Sequence, residues 1–485
     1  MLEVAYERRV PKQVNLQLLL LVAYSGLLVA LGVWIGRRVG STRQFFVAGR
    51  SLGPLLLGAT LLAANIGAGS TVGASSLGYQ YGLSAWWWVG SAGIGTLLLA
   101  WWVGPRIWRV AHDHDLLTVG DYLEWRYDAR VRLAATLLLW VITPAVLAAQ
   151  LVAVSFILNT VADVPFVWGC LAGGAVMTLY FSSGGLFASA WVNLVQLVVL
   201  AVGLVWAVAV VGAGAGGLEG VLATVPEAGE FTSFVHSAGP GWHYMFFLVP
   251  AFMVSPGLLQ KVYGARDVRA VRVGVGAAGL LLLAFAIIPV LLGMYARVWD
   301  ASLVGTATDH ALPLALTLGL PLGLGALGLA AVFSAELSSA DAVLFMLSTS
   351  LSEDLYRRFI KPGASDRDVL RVARLGAIAG GVLGTILAIV LGSVIASLTI
   401  FYSLLTVSLF VPIIGGLVWR RPGKGAGLAG LLAGVAGYLL GHYFLGLPRT
   451  GLWSPTTLGL AASVLAYVAA TAAARIQSGD SDESM

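Results

Sequence analysis

Leu61 to Gly82 reads LLAANIGAGSTVGASSLGYQYG, a hydrophobic stretch interrupted by glycine and hydroxyl residues. Between Asn65 and Ser76 the chain carries three glycines and four hydroxyl side chains. Helix propensity is weak in such a composition, so we predict that a helix breaks here. In lipid, a broken helix is tolerated where its freed N–H and C=O groups face protein or a water-filled cavity. The stretch indicates either a binding site at membrane depth or close helix packing through small residues.

The composition around this stretch is that of an all-α polytopic membrane protein. Of 485 residues, 59% are hydrophobic and 11% charged, and the mean hydropathy is +0.89, more apolar than a soluble core requires. Windows of about 20 apolar residues predict about thirteen transmembrane helices. They cover 15–36, 54–82, 84–105, 132–158, 165–187, 189–212, 243–263, 273–296, 315–350, 370–394, 397–419, 425–446 and 452–474.

Basic residues set the predicted orientation. Most of the 28 Lys and Arg residues, Lys261 among them, fall in loops on one side of the membrane if the N-terminus is outside. The long loop 213–241 has three Glu and neither Lys nor Arg. The positive-inside rule therefore predicts a multi-pass protein of the cell membrane with an external N-terminus and a cytoplasmic C-terminus. The net charge of +5 reflects this topology and does not indicate nucleic-acid binding.

Five further segments resemble, in order, motifs of the sodium:solute symporter family. They are FFVAGRSLGP (45–54), TVGDYLEWRY (118–127), YFSSGGLFASAWVNLVQ (180–196), VSPGLLQKVYGARDVRAVR (254–272) and SSADAVLFMLSTSLSEDLYRR (338–358). The resemblance implies a LeuT-like fold of two inverted five-helix repeats, with one helix before them and two after.

The predicted organisation is a single transporter domain built from these parts. They are a first helix and loop (1–53), a first repeat (54–212), an external loop (213–242), a second repeat (243–419), two accessory helices (420–475) and a disordered tail (476–485). In the second repeat Pro250 and Pro256 interrupt the first helix, as glycines interrupt the first helix of the first repeat. Broken segments at corresponding positions indicate a transport site near the bilayer midplane. The predicted solute contacts are Gly67, Gly69, Ser70 and Ser255.

A second polar feature lies in the span 315–350. Ala335, Ser338 and Ser339 share one helix face, and hydroxyl oxygens are neutral acceptors suited to a hard cation such as sodium. Alternatively, both serines bond back to carbonyls one turn earlier. By resemblance to the family, the two hydroxyls and the Ala335 carbonyl bind sodium together with the carbonyls of Ala63 and Ile66.

Two acids flank the serine face. Glu336 and Asp341 lie at membrane depth, where each has a structural hydrogen-bonding role or takes part in cation attraction or proton coupling. The chain departs from the family pattern at Asn193, where many members have an Asp on the sodium route toward the cytoplasm. Ser70 stands where the galactose member has a solute-binding Gln, so a sugar of that type is not expected.

The sequence thus predicts a sodium-coupled secondary transporter that imports a small organic solute by alternating access, and not an enzyme. One alternative is a proton-coupled transporter or exchanger on the same fold. Another is a transporter-like sensor or a channel. No nucleotide-binding G-x-x-x-x-G-K-S/T loop is present to support ATP-driven transport. No Lys or Arg is expected at membrane depth to bind a carboxylate, and the solute and the oligomeric state stay open.

Overall fold

The computed structural model describes residues 46–482 apart from 182–184, 236–240, 304 and 449–450, and the isolated positions 18–20, 22–23, 26–27, 30 and 34. Within this part of the chain the protein is helical and has no β-strand. The one extended pairing is a bridge between Leu52 and Ala265, in which the Leu52 N–H donates to the Gly264 carbonyl at 3.0 Å. The predicted first span, 15–36, lies outside the described residues apart from those isolated positions.

The α-helices are numbered in chain order. The first half contains α1 Pro54–Asn65, α2 Ala74–Tyr81, α3 Trp86–Leu98, α4 Gly104–Asp113, α5 Val119–Arg126, α6 Ala129–Ala162, α7 Phe166–Phe181 and α8 Gly185–Gly214. The connecting segment contains α9 Gly217–Leu222 and α10 Ala228–Phe231. The second half contains α11 Met245–Val254, α12 Pro256–Tyr263, α13 Val268–Ala270, α14 Gly276–Phe285, α15 Ile287–Trp299, α16 Ala311–Leu318, α17 Leu322–Thr349, α18 Asp366–Leu391, α19 Val394–Leu405 and α20 Val411–Val418. The last two are α21 Ala426–Leu439 and α22 Pro455–Asp482.

Shorter helical turns link these helices. The 3-10 turns are Ala48–Arg50, Gly82–Ala85, Gly241–Tyr244 and Gly305–His310. The π-helical segments are Gly69–Gly73, Leu99–Val103, Val271–Val275, Ser350–Ile360, Thr406–Phe410 and Leu440–Phe444.

The described residues contain ten helical stretches long and apolar enough to cross a membrane. Pro54–Asn65 and Phe166–Leu179 are two further apolar helices that are shorter. The stretch Gly69–Asp113 contains the second part of the predicted span 54–82 and the whole of the predicted span 84–105. The chain turns between these two spans at Gly82. Gly82 has φ +61°, and a Cβ there would overlap the Phe231 carbonyl. The count of about thirteen stays a prediction.

Both predicted helix breaks exist, but both are narrower than predicted. In the first repeat α1 ends at Asn65, and the chain is helical again from Gly69 through Ser76. The hydroxyl of Thr71 lies 2.9 Å from the Gly67 carbonyl, and that of Ser70 donates to the Asn65 carbonyl at 2.7 Å. These local bonds let a glycine- and hydroxyl-rich segment stay helical.

In the second repeat Pro250 does not break the helix, contrary to the prediction. It lies inside α11, which tolerates the loss of one backbone donor and continues to Val254. The break falls at Ser255, which has ψ 122° because the ring of Pro256 disfavours a helical residue before it. Pro256 then opens α12 at the position where its missing N–H costs nothing.

The last helix also differs from the sequence expectation. The segment from 476 onward is predicted to be a disordered tail, whereas α22 continues to Asp482. Residues 483–485 lie outside the described part of the chain.

An ionic cluster joins two of the quoted motifs. Arg132 lies 2.8 Å from both Asp121 and Asp354, and the Thr118 hydroxyl donates to Asp354 at 2.5 Å. Thr118 and Asp121 also cap α5 reciprocally. These residues fix α5 and the start of α6 against the π-helical segment Ser350–Ile360 that follows α17, so these polar motifs have a structural role.

Candidate functional site

The five residues predicted to bind sodium meet where α1 ends against the middle of α17. The Ser338 hydroxyl oxygen lies 2.9 Å from the carbonyl oxygens of both Ala63 and Ala335. The Ser339 hydroxyl oxygen lies 3.0 Å from the Ile66 carbonyl and 3.3 Å from that of Ala63. All five residues are buried. The structure therefore brings together oxygens that are distant in sequence: Ser338 and Ala63 are 275 residues apart, and Ser339 and Ile66 are 273 apart.

The end of α1 supplies carbonyls without helical partners. The last backbone hydrogen bond of α1 runs from the Ile66 N–H to the Leu62 carbonyl. The carbonyls of α1 after Leu62 therefore accept no helical hydrogen bond from an N–H one turn later. A helix C-terminus also carries partial negative charge, which favours a cation. Ending the helix at Asn65 therefore creates a cation-attracting edge in the protein interior.

The oxygens at this point outnumber the available hydrogens. The two hydroxyls have one hydrogen each, yet four carbonyl oxygens, those of Ala63, Ala64, Ile66 and Ala335, lie within 3.3 Å of them. The Ser338 contact with Ala335 is the one-turn-back bond of the alternative interpretation, but Ser339 contacts only carbonyls of the opposite helix. The surplus of lone pairs suits a small cation coordinated by neutral oxygens.

Gly67 allows this close approach. A Cβ at this position would overlap the Ser339 hydroxyl and lie 2.7 Å from the Gln150 side-chain oxygen. Gln150, on α6, accepts a hydrogen bond from the Ala68 N–H at 2.8 Å and so supports the break. The sequence interpretation missed Gln150, although an isolated amide within the long apolar helix α6 was a usable signal.

A cavity adjoins the oxygen cluster, and all four predicted solute contacts line it. The cavity has a volume of about 80 Å³. Its walls come from both broken helices and from α3, α6, α17 and α19. They include Asn65, Gly67, Gly69, Ser70, Trp88, Gln150, Leu248, Phe252, Ser255, Gly257, Ser339, Met346, Leu398, Phe401 and Tyr402. Ser339 therefore faces both the oxygen cluster and the cavity.

The acids Glu336 and Asp341 have different surroundings. Glu336 is fully buried, and one carboxyl oxygen lies 2.8 Å from the Thr71 hydroxyl. Its other oxygen has no hydrogen-bond partner among the described residues. Asp341 is buried and interacts electrostatically with Lys261. The two acids therefore link α17 to different partners.

The position of Lys261 contradicts the sequence interpretation. That interpretation assigned Lys261 to a cytoplasmic loop and expected no basic residue at membrane depth. It lies in α12 with 1% of its surface exposed, and its ammonium donates to the Thr60 carbonyl of α1 at 2.9 Å. Asn193 of α8 donates to the Thr60 hydroxyl at 3.2 Å. A lysine inside a predicted span, five residues after a helix-breaking proline, was a signal that could have been used.

Comparisons with known proteins identify the family of this chain. The model of the sodium:solute symporter family matches residues 45–434. A sodium/glucose cotransporter of Vibrio parahaemolyticus is 24% identical over 87% of this chain and 84% of its own length. The high-affinity proline transporter PutP of Bacillus subtilis (strain 168) is 23% identical over 84% of this chain and 88% of its own.

A solved structure of a Na⁺-coupled sialic acid symporter, in a substrate-bound outward-open state, has the same fold. Its TM-score is 0.79 at 20% sequence identity, with 95% of this chain and 98% of that chain covered. This likeness confirms the predicted all-helical, LeuT-like fold class. The family match across most of the chain makes sodium-coupled solute symport by alternating access the activity of this protein, which belongs to the sodium:solute symporter family.

Proposed function

We propose that this symporter imports a small organic solute with sodium held by Ala63, Ile66, Ala335, Ser338 and Ser339. The observation that carries the proposal is the convergence of their oxygens between α1 and α17. All five are neutral, so a bound sodium ion keeps its full positive charge. Because α1 and α17 come from different repeats, an ion that bridges them stabilises one relative arrangement of the repeats over others.

Solute would bind in the adjoining cavity, against Gly67, Gly69, Ser70 and Ser255. Ser339 contributes a wall to this cavity and an oxygen to the ion site, which supports direct coupling between them. Each ligand would then raise the affinity of the other by the same factor.

Removing either serine hydroxyl tests the ion site. Ser338→Ala and Ser339→Ala each delete one of about five ligands, so the sodium concentration for half-maximal uptake should rise about tenfold, equivalent to roughly 1.4 kcal/mol. Uptake is measured against sodium at saturating solute. Ser352→Ala is the control, because that buried hydroxyl bonds back to the Ser348 carbonyl at 2.8 Å within the same helical stretch. Unchanged sodium dependence in both serine variants would refute the assignment.

Glu336 supports a second candidate, proton coupling. A buried carboxylate with one unpartnered oxygen is costly at membrane depth, and protonation relieves that cost. If uptake depends on a pH gradient in place of a sodium gradient, and Glu336→Gln abolishes that dependence, proton coupling replaces sodium coupling as the mechanism.

The orientation is also a proposal: the loop 213–242 external and the loop 361–365 cytoplasmic. Gly229 and Gly363 are exposed, and a Cβ at either position meets no atom within 4 Å, so cysteine fits at both. In a Cys170→Ala background, Gly229→Cys should react with an impermeant maleimide from outside intact cells. Gly363→Cys should react only after the cells are permeabilised. The opposite labelling pattern would invert the topology.

A further inference from the structure

The side chains that line the solute cavity limit the class of solute that it can bind. Its walls contain no Asp, Glu, Lys, Arg or His among the residues that the structure describes. Most of the wall is hydrocarbon or aromatic, with Leu248, Phe252 and Phe401 among its members. A polyol such as a hexose would leave several hydroxyls without partners against such a surface. The cavity therefore suits a small solute with an apolar body and few polar groups.

The polar groups that do line the cavity are mainly donors without acceptors. The indole N–H of Trp88, the phenol O–H of Tyr402 and the hydroxyl of Ser255 donate to no residue in the described part of the chain. Trp88 is 97% buried, with 3% of its surface exposed, and its indole nitrogen lies 3.4 Å from where a Cβ of Gly69 would stand. A solute that fills the cavity has to offer the Trp88 indole N–H an acceptor atom, whereas the two hydroxyls can either donate or accept.

Several acceptors at the first break already have hydrogen-bond partners. The Asn65 carbonyl already accepts from Ser70, and the Gly67 carbonyl accepts from the Thr71 N–H. The Gln150 side-chain oxygen accepts from Ala68. An ammonium group brings three hydrogens and a charge that no carboxylate in the cavity wall would balance.

Two features favour negative charge instead. The N-terminus of α12 opens onto the cavity at Ser255 and Gly257, and a helix N-terminus carries partial positive charge. The proposed sodium site shares Ser339 with the cavity, so a bound ion would lie next to the solute. In a water-poor interior that ion attracts an anion and repels a second cation.

From these observations we infer that the solute is a small monocarboxylate, with its carboxylate near Ser255, Trp88 and Tyr402 and its hydrocarbon part against the apolar wall. This inference rests on the proposed sodium site, because the ion supplies the charge that the cavity wall lacks. Sodium and solute would then enter as an electrically balanced pair.

The test uses the purified protein in liposomes and measures sodium-22 uptake, since an undissociated acid can cross lipid unaided. Butyrate should accelerate sodium-22 uptake, whereas butyramide, its uncharged isostere, should not, nor should glucose, proline or choline. Acceleration by butyramide or choline equal to that by butyrate would overturn the inference, and so would a failure of every unbranched monocarboxylate of two to six carbons.

Two variants locate the carboxylate. Trp88→Phe and Tyr402→Phe each remove one donor, so each should weaken the apparent butyrate affinity about tenfold. Tyr244→Phe is the matched control, because Tyr244 packs against Trp88 with ring centroids 4.9 Å apart but does not line the cavity. An unchanged affinity in both test variants would contradict the proposed contacts.

Equilibrium binding of sodium-22 distinguishes a failure of the monocarboxylate inference from a failure of the proposed sodium site. Sodium binding that Ser339→Ala weakens, together with no response to monocarboxylates, would reject the solute class and keep the ion site. Sodium binding that neither serine variant alters would reject the ion site itself.

Discussion

Gly67→Ala is expected to reduce sodium-dependent uptake by at least about 100-fold, equivalent to roughly 2.7 kcal/mol. The added Cβ would overlap the Ser339 hydroxyl and stand 2.5 Å from the Ser339 Cβ and 2.7 Å from the Gln150 oxygen. Ser339 cannot retreat without leaving the Ile66 carbonyl, 3.0 Å away. The change therefore removes an ion ligand and separates α1 from α17 at the same time. The measurement is uptake against sodium concentration, normalised to the amount of folded protein.

A second glycine provides the control. Gly276 is buried at the start of α14, and a Cβ there would meet its nearest neighbour, a carbon of Trp101, at an ordinary 3.4 Å. Gly276→Ala should transport within about threefold of the unmodified protein, since alanine also favours the helix. If Gly67→Ala keeps the normal sodium dependence, the oxygens near Ser339 are not the sodium ligands.

Lys261→Met is expected to cause the other large loss. Removing the ammonium takes away the side-chain hydrogen bond to the Thr60 carbonyl and the positive charge that acts on the buried Asp341 carboxylate. Breaking a buried charge pair by removing one partner costs about 3 to 5 kcal/mol. We expect uptake to fall at least about tenfold and the thermal unfolding temperature in detergent to drop clearly.

The double variant distinguishes a charge pair from two independent effects. Lys261→Met combined with Asp341→Asn removes both charges, so it should unfold at a higher temperature than Lys261→Met alone. Lys361→Met is the control, because Lys361 pairs with Asp368 at 2.9 Å on the exposed surface, where ion pairs contribute little. Additive losses in the double variant would show that Lys261 and Asp341 are not coupled.

The chemistry of the ion site follows from its position at a helix break. The freed carbonyls of Ala63 and Ile66 are ligands that no side-chain substitution removes, whereas Ser338 and Ser339 can be changed one at a time. Asn193 donates to the Thr60 hydroxyl near Lys261. The positive charge of Lys261 thus lies close to this position, and a neutral amide avoids adding a further buried charge.

The sequence by itself determined the features that depend on local composition. Its hydropathy placed the chain in the membrane, and the glycines after Asn65 and the Pro256 ring located both helix breaks. Each of these follows from the free energy of transferring side chains to lipid or from the backbone preferences of single residues. The resemblance to one family then predicted that Ala63, Ile66, Ala335, Ser338 and Ser339 form one site.

Only the tertiary structure decided which side chains meet across the fold. Glu336 faces Thr71, 265 residues away, and Gln150 supports Ala68, 82 residues away, through contacts between separate helices. Lys261 looked like a loop residue because a local window records its charge but not the Thr60 carbonyl and the Asp341 carboxylate that make its burial favourable. A charged group enters the interior only when distant residues supply its partners, and those partners exist only once the helices have packed.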